Sequence, residues 1–277
     1  MAVVDGGPGA LGAAEANHAT NSPFRLDGLV SVVTGGAGLY GVGLVEAMAA
    51  AGATVVIASR DTAATEAVAA RLCSEGRSAV AVELDLADEA SIVRFRDHVV
   101  AEFGRFDVLV NNAVTRRGGT IDTVTFDDLL ATTTVNFAGL LTICRYAGEQ
   151  MKRQRSGAIV NVSSIYGMVG PQLEVYEGTP LYNPAYYAFD KGGMINLTRH
   201  LAADYGRWGI RVNCVSPGGL HTPDQPASFV EAYRRRTPLG RMATGADLAG
   251  PVVFLASPAA AYVTGVNLPV DGGWTAI

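Results

Sequence analysis

The chain has 277 residues, of which 49% are hydrophobic and 17% charged, so it is able to bury a large core in one or two domains. Its net charge of −5 and its short basic runs argue against nucleic acid or an anionic membrane surface as a partner. Its three cysteines form no metal or disulfide pattern, and we expect neither a signal peptide nor a membrane span, because the sequence shows no pattern typical of either. We therefore expect a cytoplasmic protein without a metal site.

The first segment of the chain lacks the pattern of a helix or a strand. Residues 1–23 are rich in Gly, Ala, Asn and Pro without a period, which predicts a flexible tail. A β-type run at 29–33 then leads into a glycine-rich turn at 34–41, a helical pattern at 42–51 and a buried strand at 54–58. In such a βαβ unit, glycines let the backbone approach a pyrophosphate, and the helix N-terminus offers free N–H groups. The pattern therefore predicts a dinucleotide site.

The alternation of strands and helices continues to the C-terminus. Further helices are predicted at 62–74, 89–103, 127–153, 185–205 and 245–255. Further strands are predicted at 78–84, 107–110, 158–162, 210–215 and 266–270. Repeated βα units favour an α/β fold, a Rossmann-type doubly wound parallel sheet of about seven strands with helices on both faces. Without a repeat or linker, residues 24–277 are predicted to form a single domain.

Polar and glycine residues follow several of these strands. In parallel sheets, ligands bind beyond the carboxyl ends of the strands, so these residues are expected to form one site. They are the glycine turn, Asp85, Asn111-Asn112-Ala113, Ser163-Ser164 and Pro217-Gly218.

Tyr187 and Lys191 are four residues apart in the helix predicted at 185–205, which puts them on one face. A nearby ammonium favours the phenolate and lowers the pKa of the phenol from its usual value of about 10. A phenol whose pKa is moved toward neutral pH can donate and accept a proton. The pair is therefore a candidate acid–base group.

These motifs, in this order, resemble the short-chain dehydrogenase/reductase family in its short form, from about Leu26 to Ile277. The resemblance implies an NAD(P)-dependent oxidoreductase that interconverts a small-molecule secondary alcohol and a ketone. Tyr187 would be the general acid/base, and Ser164 would hold the reacting oxygen. Lys191 would lower the phenol pKa and bind the nicotinamide ribose. Asn136 would hold a water in a proton relay.

The resemblance also implies a set of coenzyme-binding residues. Those around the phosphates would be Gly35, Gly38, Leu39, Tyr40 and Gly41. Asp85 and Leu86 would flank the adenine, and Asn112 and Ala113 the adenosine ribose. Near the nicotinamide and pyrophosphate, besides Tyr187 and Lys191, would be Pro217, Gly218, Leu220 and Thr222.

The tip of the second strand bears on the choice between NADP(H) and NAD(H). Ser59 stands where NAD-specific members usually carry Asp, and Arg60 could pair with a 2′-phosphate, so we favour NADP(H). Asp61 keeps NAD(H) open, although we expect this residue to begin the next helix.

The glycine turn departs from the usual TGxxxGxG, since Leu39 stands where the middle glycine belongs. The spacing Gly35…Gly38…Gly41 is closer to extended members, and it leaves open a carbohydrate epimerase or dehydratase with an internally recycled cofactor. A second alternative is a non-catalytic dinucleotide-sensing protein, against which the complete set of candidate catalytic residues argues.

More residues separate Ser164 from Tyr187 than is usual in the family. The extra loop carries tyrosines, amides and carboxylates, which suits a polar or carbohydrate-like substrate, although packing on a neighbouring subunit is an equal alternative. The pair Arg116-Arg117 could meet a substrate carboxylate, with two solvated arginines as the commoner outcome. The segment 220–240 resembles the family's substrate lid.

Asp190, next to Lys191, stands where the family has a small residue. Its carboxylate could pair with an arginine, contact another subunit or be solvated. The helices at 127–153 and 185–205 resemble those that pair between family subunits. We therefore expect a homotetramer, with a dimer as the next choice.

Overall fold

The structure is a computed structural model that describes residues 22–277, so the tail predicted at 1–23 lies almost wholly outside the described residues. Seven parallel strands form one sheet in the order β3-β2-β1-β4-β5-β6-β7. The strands are β1 Val30–Thr34, β2 Thr54–Ser59, β3 Ala79–Glu83, β4 Val108–Asn111, β5 Gly157–Val162, β6 Ile210–Pro217 and β7 Asn267–Val270. Every residue of β1 and β4 is buried, as expected when helices cover both faces of a parallel sheet.

Eight α-helices of the described chain cover the sheet. They are α1 Gly41–Ala50, α2 Thr62–Ser74, α3 Glu89–Phe103, α4 Phe126–Thr133, α5 Leu140–Gln154, α6 Ala185–Tyr205, α7 Ala227–Arg236 and α8 Gly245–Ala256. One core includes Phe95 of α3, Ile143 of α5 and Leu201 of α6. A second core includes Met48 of α1 and Val252 of α8. Two cores separated by one parallel sheet confirm the predicted doubly wound α/β fold.

Short polar side chains define the starts of several helices. The Asp61 carboxylate accepts a hydrogen bond of 3.0 Å from the Ala64 N–H and begins α2, as predicted. Thr125 and Asp128 form a reciprocal capping box at the start of α4. These caps satisfy N–H groups that have no partner within the first turn, which is why the helices begin at those residues.

One predicted helix differs from the structure. The long helix expected at 127–153 is divided into α4, a π-helical segment Thr134–Gly139 and α5. The wider π turn changes which side chains share a face, and Asn136 lies within it. The lid segment 220–240 contains α7, and Leu220 forms a parallel β-bridge with Ala243.

From β1 the chain adds β2 and β3 on one side of the sheet, and then β4 to β7 on the other side. Ligands bind in such folds at this change of side, between β1 and β4. The Asn112 side-chain amide donates to the carbonyls of Thr34 and Gly35, at 3.1 and 3.0 Å. The Ala113 N–H donates to the Thr34 hydroxyl at 3.0 Å. The loops after β1 and β4 are therefore fixed against each other at the opening of the crevice.

Between residues 22 and 277, no helix combines the length and the apolar character that crossing a membrane requires.

Candidate active site

A cavity of about 720 Å³ lies at the carboxyl ends of the strands. It is bounded by the loops after β1, β4, β5 and β6, by the start of α6, and by part of the lid segment. The residues predicted from the sequence that line it are Gly35, Gly38, Leu39, Tyr40, Ser59, Asn112, Ala113, Ser164, Tyr187, Lys191, Pro217, Gly218, Leu220 and Thr222. The structure thus brings most of the predicted site residues to one place.

Five predicted residues do not line this cavity: Gly41, Arg60, Asp85, Leu86 and Asn136. A Cβ on Gly41 would overlap the Gly35 carbonyl oxygen, so Gly41 shapes the turn from beneath. Asp85 accepts from the Ala87 N–H at 2.9 Å, and Leu86 is buried in the core. Arg60 is exposed. Asn136 is bound to Thr115, behind the residues that line the cavity.

Tyr187 lies between two cations. Its ring and the side chain of Lys191 are both buried, and the Lys191 Nζ is 5.6 Å from the ring centroid. On the open side, the Arg116 guanidinium carbon is 4.8 Å from the same centroid, and its Nη2 donates to the phenol oxygen at 3.1 Å. Lys191 itself donates to the Val162 carbonyl at 2.7 Å, which fixes the ammonium beneath the phenol.

The charges around Tyr187 change the pKa of its phenol more than its burial does. Burial alone raises the pKa of the phenol, but Lys191, Arg116 and hydrogen bonding with Ser164 bring this pKa below its usual value. Burial lowers the pKa of Lys191, although the adjacent Tyr187 opposes this. A phenol with a lowered pKa, next to an open cavity, is able to exchange a proton with a bound ligand.

The two adjacent serines after β5 have different partners. The Ser163 hydroxyl donates to the Lys191 carbonyl at 2.8 Å and is used in holding α6. The Ser164 oxygen accepts from the Tyr166 N–H at 3.2 Å, which leaves its proton available to donate. This difference in partners supports Ser164 over Ser163 as the hydroxyl that faces a ligand, a choice that residue type alone could not make.

Asn136 joins two parts of the site through its side-chain amide. Its oxygen accepts from the Thr115 N–H at 2.9 Å, and its nitrogen donates to the Thr115 carbonyl at 3.0 Å. The same nitrogen donates to the Asp190 carboxylate at 2.9 Å. Asp190 therefore has an amide partner inside the subunit, where the sequence had left open an arginine, a subunit contact or solvent. Its burial raises the pKa of this carboxyl group.

The loop between Ser164 and Tyr187 folds back over the cavity within the same subunit. The hydroxyls of Tyr166 and Tyr176 are 2.8 Å apart, and the ring of Tyr176 is 5.4 Å from that of Phe229 on α7. The tyrosine hydroxyls thus satisfy each other, and the loop's Glu174 and Glu177 do not line the cavity. The wall is more apolar than the sequence suggested.

Several lining residues were not named for the site from the sequence, among them Ile165, Leu181, Gln225 and Met242. Phe229 and Tyr233 were expected only as part of the lid segment, and their four-residue spacing puts both rings on one face of α7.

The crevice beside the glycine turn fits a dinucleotide. Gly35 has a positive φ of 64°, and a Cβ there would lie 2.9 Å from the Ala113 Cα. The Val42 N–H donates to the Gly38 carbonyl at 3.2 Å, but no side-chain hydrogen bond caps the start of α1. Its first turn therefore still offers N–H groups to an anion such as a pyrophosphate.

Comparison with known proteins agrees with this geometry. The family described as enoyl-(acyl carrier protein) reductase matches residues 38–275. D-threitol dehydrogenase from Mycolicibacterium smegmatis is 34% identical over 91% of this chain and 95% of its own length. Cis-4-hydroxycyclohexanecarboxylate dehydrogenase from Sinomonas cyclohexanicum is 37% identical over 90% and 97%.

A solved structure, gluconate 5-dehydrogenase from Burkholderia cenocepacia J2315 in complex with NADP and tartrate, superposes with a TM-score of 0.83 at 33% identity. That match covers 92% of this chain and 98% of the other. The chain belongs to the short-chain dehydrogenase/reductase family. Its enzyme class is that of the NAD(P)-dependent oxidoreductases acting on CH–OH groups.

Proposed function

We propose that the protein interconverts a secondary alcohol and a ketone, with Tyr187 as the general acid/base. The observation that carries this proposal is the buried phenol between Lys191 and Arg116, whose pKa is lowered, beside a crevice that fits a dinucleotide. A group of this kind is needed wherever a hydroxyl proton must leave or return at neutral pH.

Each residue of the set has a distinct task in this scheme. In oxidation, Tyr187 takes the hydroxyl proton of the substrate, and in reduction it returns that proton. The Ser164 hydroxyl donates to the reacting oxygen and stabilises the negative charge that develops there. Lys191, held by the Val162 carbonyl, stabilises the phenolate. The nicotinamide coenzyme, when bound, supplies or accepts the hydride.

Asn136 has a supporting task. Its amide is fully engaged by Thr115 and Asp190, so its side chain fixes the loop before Arg116 to α6. The proton relay through a water held by Asn136 stays a prediction.

The coenzyme would be held by the glycine turn, by Asn112 and Ala113, and by the loop after β6. We favour NADP(H) over NAD(H), because Arg60 is exposed beside Ser59 and Asp61, which line the cavity. The Asp61 carboxylate is engaged in capping α2, which weakens it as an acceptor for a ribose hydroxyl. The NADP in the Burkholderia cenocepacia gluconate 5-dehydrogenase supports the same choice.

We also propose a homotetramer, with a dimer as the alternative. Large apolar side chains on the helices expected to pair are exposed: Phe126, Leu130, Phe137 and Phe189 are 73%, 53%, 52% and 82% accessible. Covering such residues in a subunit contact would remove them from water. Light scattering after size-exclusion chromatography tests this, and a stable monomer at working concentration would contradict it. A cytoplasmic location stays a prediction.

The function is tested with a panel of polyols, sugars, sugar acids and hydroxy acids, each offered with NADP⁺ and with NAD⁺. The proposal expects one reduced coenzyme for each ketone formed. Product formation without net coenzyme change would instead support the epimerase or dehydratase alternative. Tight coenzyme binding without any product across the panel would support the dinucleotide-sensing alternative.

A further inference from the structure

Charged side chains are scarce in the cavity. Of the described residues, three that line it carry a full charge: Asp61, Arg116 and Lys191. Asp61 caps α2 at the tip of β2, and Lys191 is buried with the Val162 carbonyl as its acceptor. Arg116 alone is both exposed and close to Tyr187. An anionic ligand in the cavity beside Tyr187 would therefore meet Arg116 first.

Arg116 has no acidic partner among residues 22–277. None of the ion pairs formed there includes it. Its hydrogen bond goes to the phenol oxygen of Tyr187, which is one acceptor for a group with five N–H donors. A carboxylate offers two acceptor oxygens in the fork geometry that a guanidinium matches, so it is the stronger partner.

The backbone at Arg116 is fixed, while its side chain is free to change partner. Both hydrogen-bonding groups of the Thr115 backbone are bound by the Asn136 amide. Asn136 is in turn bound to Asp190 on α6, the helix that carries Tyr187. This chain of contacts holds the Arg116 backbone near the helix that carries the reacting phenol, so the guanidinium stays within reach of a ligand group at that place.

The rest of the cavity wall indicates what lies beyond the charged group. Its apolar lining residues include Ile165, Leu181, Phe229 and Met242. The hydroxyls of Tyr166 and Tyr176 bond to each other, and the amides of Asn183 and Gln225 are polar exceptions. Such a wall suits a compact apolar body. A neutral polyol would gain no charge-assisted pair with this guanidinium, whereas an acid would, which favours acids over polyols.

We propose that Arg116 determines substrate specificity by binding the carboxylate of a hydroxy acid or its oxo acid. Because the guanidinium is 3.1 Å from the Tyr187 oxygen, that carboxylate lies a few bonds from the reacting carbon, and the apolar body packs on the aromatic wall. This inference rests on the proposed function and narrows it to one class of substrate.

The test compares Arg116→Met with Arg117→Met, its neighbour, which is exposed and does not line the cavity. The substrates are ring-hydroxylated cyclohexanecarboxylates and linear hydroxy acids, each paired with its primary carboxamide, at saturating coenzyme. We expect wild type and Arg117→Met to prefer acids over amides by about tenfold or more in kcat/KM, since one charge-assisted pair is lost with the amide. Arg116→Met is expected to remove the preference, mainly through KM for the acids.

A second measurement is independent of turnover. Calorimetric titration with cyclohexanecarboxylate and cyclohexanecarboxamide is expected to show tighter acid binding by wild type and Arg117→Met, and no difference for Arg116→Met. Equal binding of acid and amide by wild type overturns the inference whatever the activity.

Two kinetic outcomes also overturn it. One is that Arg116→Met keeps the preference for acids over amides while its kcat falls equally for both, because Arg116 would then act only on the Tyr187 phenol. The other is turnover of neutral alcohols but of no acid, which leaves the proposed function standing. If wild type turns over no compound at all, the proposed function fails, and the calorimetric result alone decides the carboxylate site.

Discussion

Asn136 and Asp190 lie on different helical segments, and a hydrogen bond of 2.9 Å joins the Asn136 nitrogen to the Asp190 carboxylate. Asn136 also binds both backbone groups of Thr115, so this bond ties α6 to the loop that carries Arg116. The position beside Lys191 therefore has a task in this chain that a small residue could not perform.

Asp190→Ala is expected to lower kcat more than Asp190→Asn does. Alanine leaves a partly buried Asn136 N–H without an acceptor, whereas the asparagine oxygen can still accept. Steady-state kinetics and urea unfolding of both variants check this. If the two variants have the same kcat, the acceptor at position 190 does not matter for the site.

The pH dependence of stability gives a separate test of Asp190. Burial raises the pKa of this carboxyl group in the folded protein, so its contribution to stability is full below about pH 4 and is lost as the pH rises through the raised folded value. Asp190→Asn has no such titration. The free energy of unfolding of the variant, relative to wild type, should therefore improve between about pH 4 and neutrality. A difference that is constant with pH would contradict the raised pKa.

Gly41→Ala is expected to disrupt coenzyme binding. Its Cβ would overlap the Gly35 carbonyl oxygen and press on the Gly36 backbone, so the turn could not keep its path. Gly206→Ala is the matched control, because the φ of Gly206 is −55° and no atom lies within 4 Å of the added Cβ. Fluorescence titration with NADPH should show weak or no binding for Gly41→Ala and wild-type binding for Gly206→Ala. Unchanged affinity of Gly41→Ala would remove the glycine turn from the coenzyme site.

Arg60→Ala tests the coenzyme preference. If Arg60 pairs with the 2′-phosphate, the variant should bind NADPH about tenfold or more weakly, because a charge-assisted pair is lost. Its affinity for NADH should change by no more than about twofold. If the affinities for both coenzymes fall equally, or neither changes, Arg60 does not bind the 2′-phosphate.

Much of the fold was predictable because its signals are local. Buried apolar runs such as Val30–Thr34, turns closed by glycine, and the cap at Asp61 each follow from short-range chemistry. The predicted bounds of α2, α3 and α6 are those of the structure. The π segment was not predictable, because the apolar spacing around Asn136 is compatible with an uninterrupted α-helix.

The sequence predicted most of the residues that belong to the site, but fewer of the contacts between them. Tyr187 and Lys191 share one helix, so their proximity follows from helical spacing. The approach of Arg116 to Tyr187 joins residues 71 positions apart, and it depends on how the loop after β4 meets α6. Likewise, the tyrosines of the loop after Ser164 suggested a polar rim, but mutual hydrogen bonding of Tyr166 and Tyr176 makes the wall more apolar.

The central claim is that the Tyr187 phenol carries the proton. The most direct measurement is single-turnover reduction and oxidation by Tyr187→Phe, with NADPH affinity measured on the same preparation. The phenyl ring keeps the packing and removes the acid, so turnover should fall by about a hundredfold or more while coenzyme affinity stays close to wild type. A variant that turns over at the wild-type rate would contradict this account, since the proton would then be carried by another group.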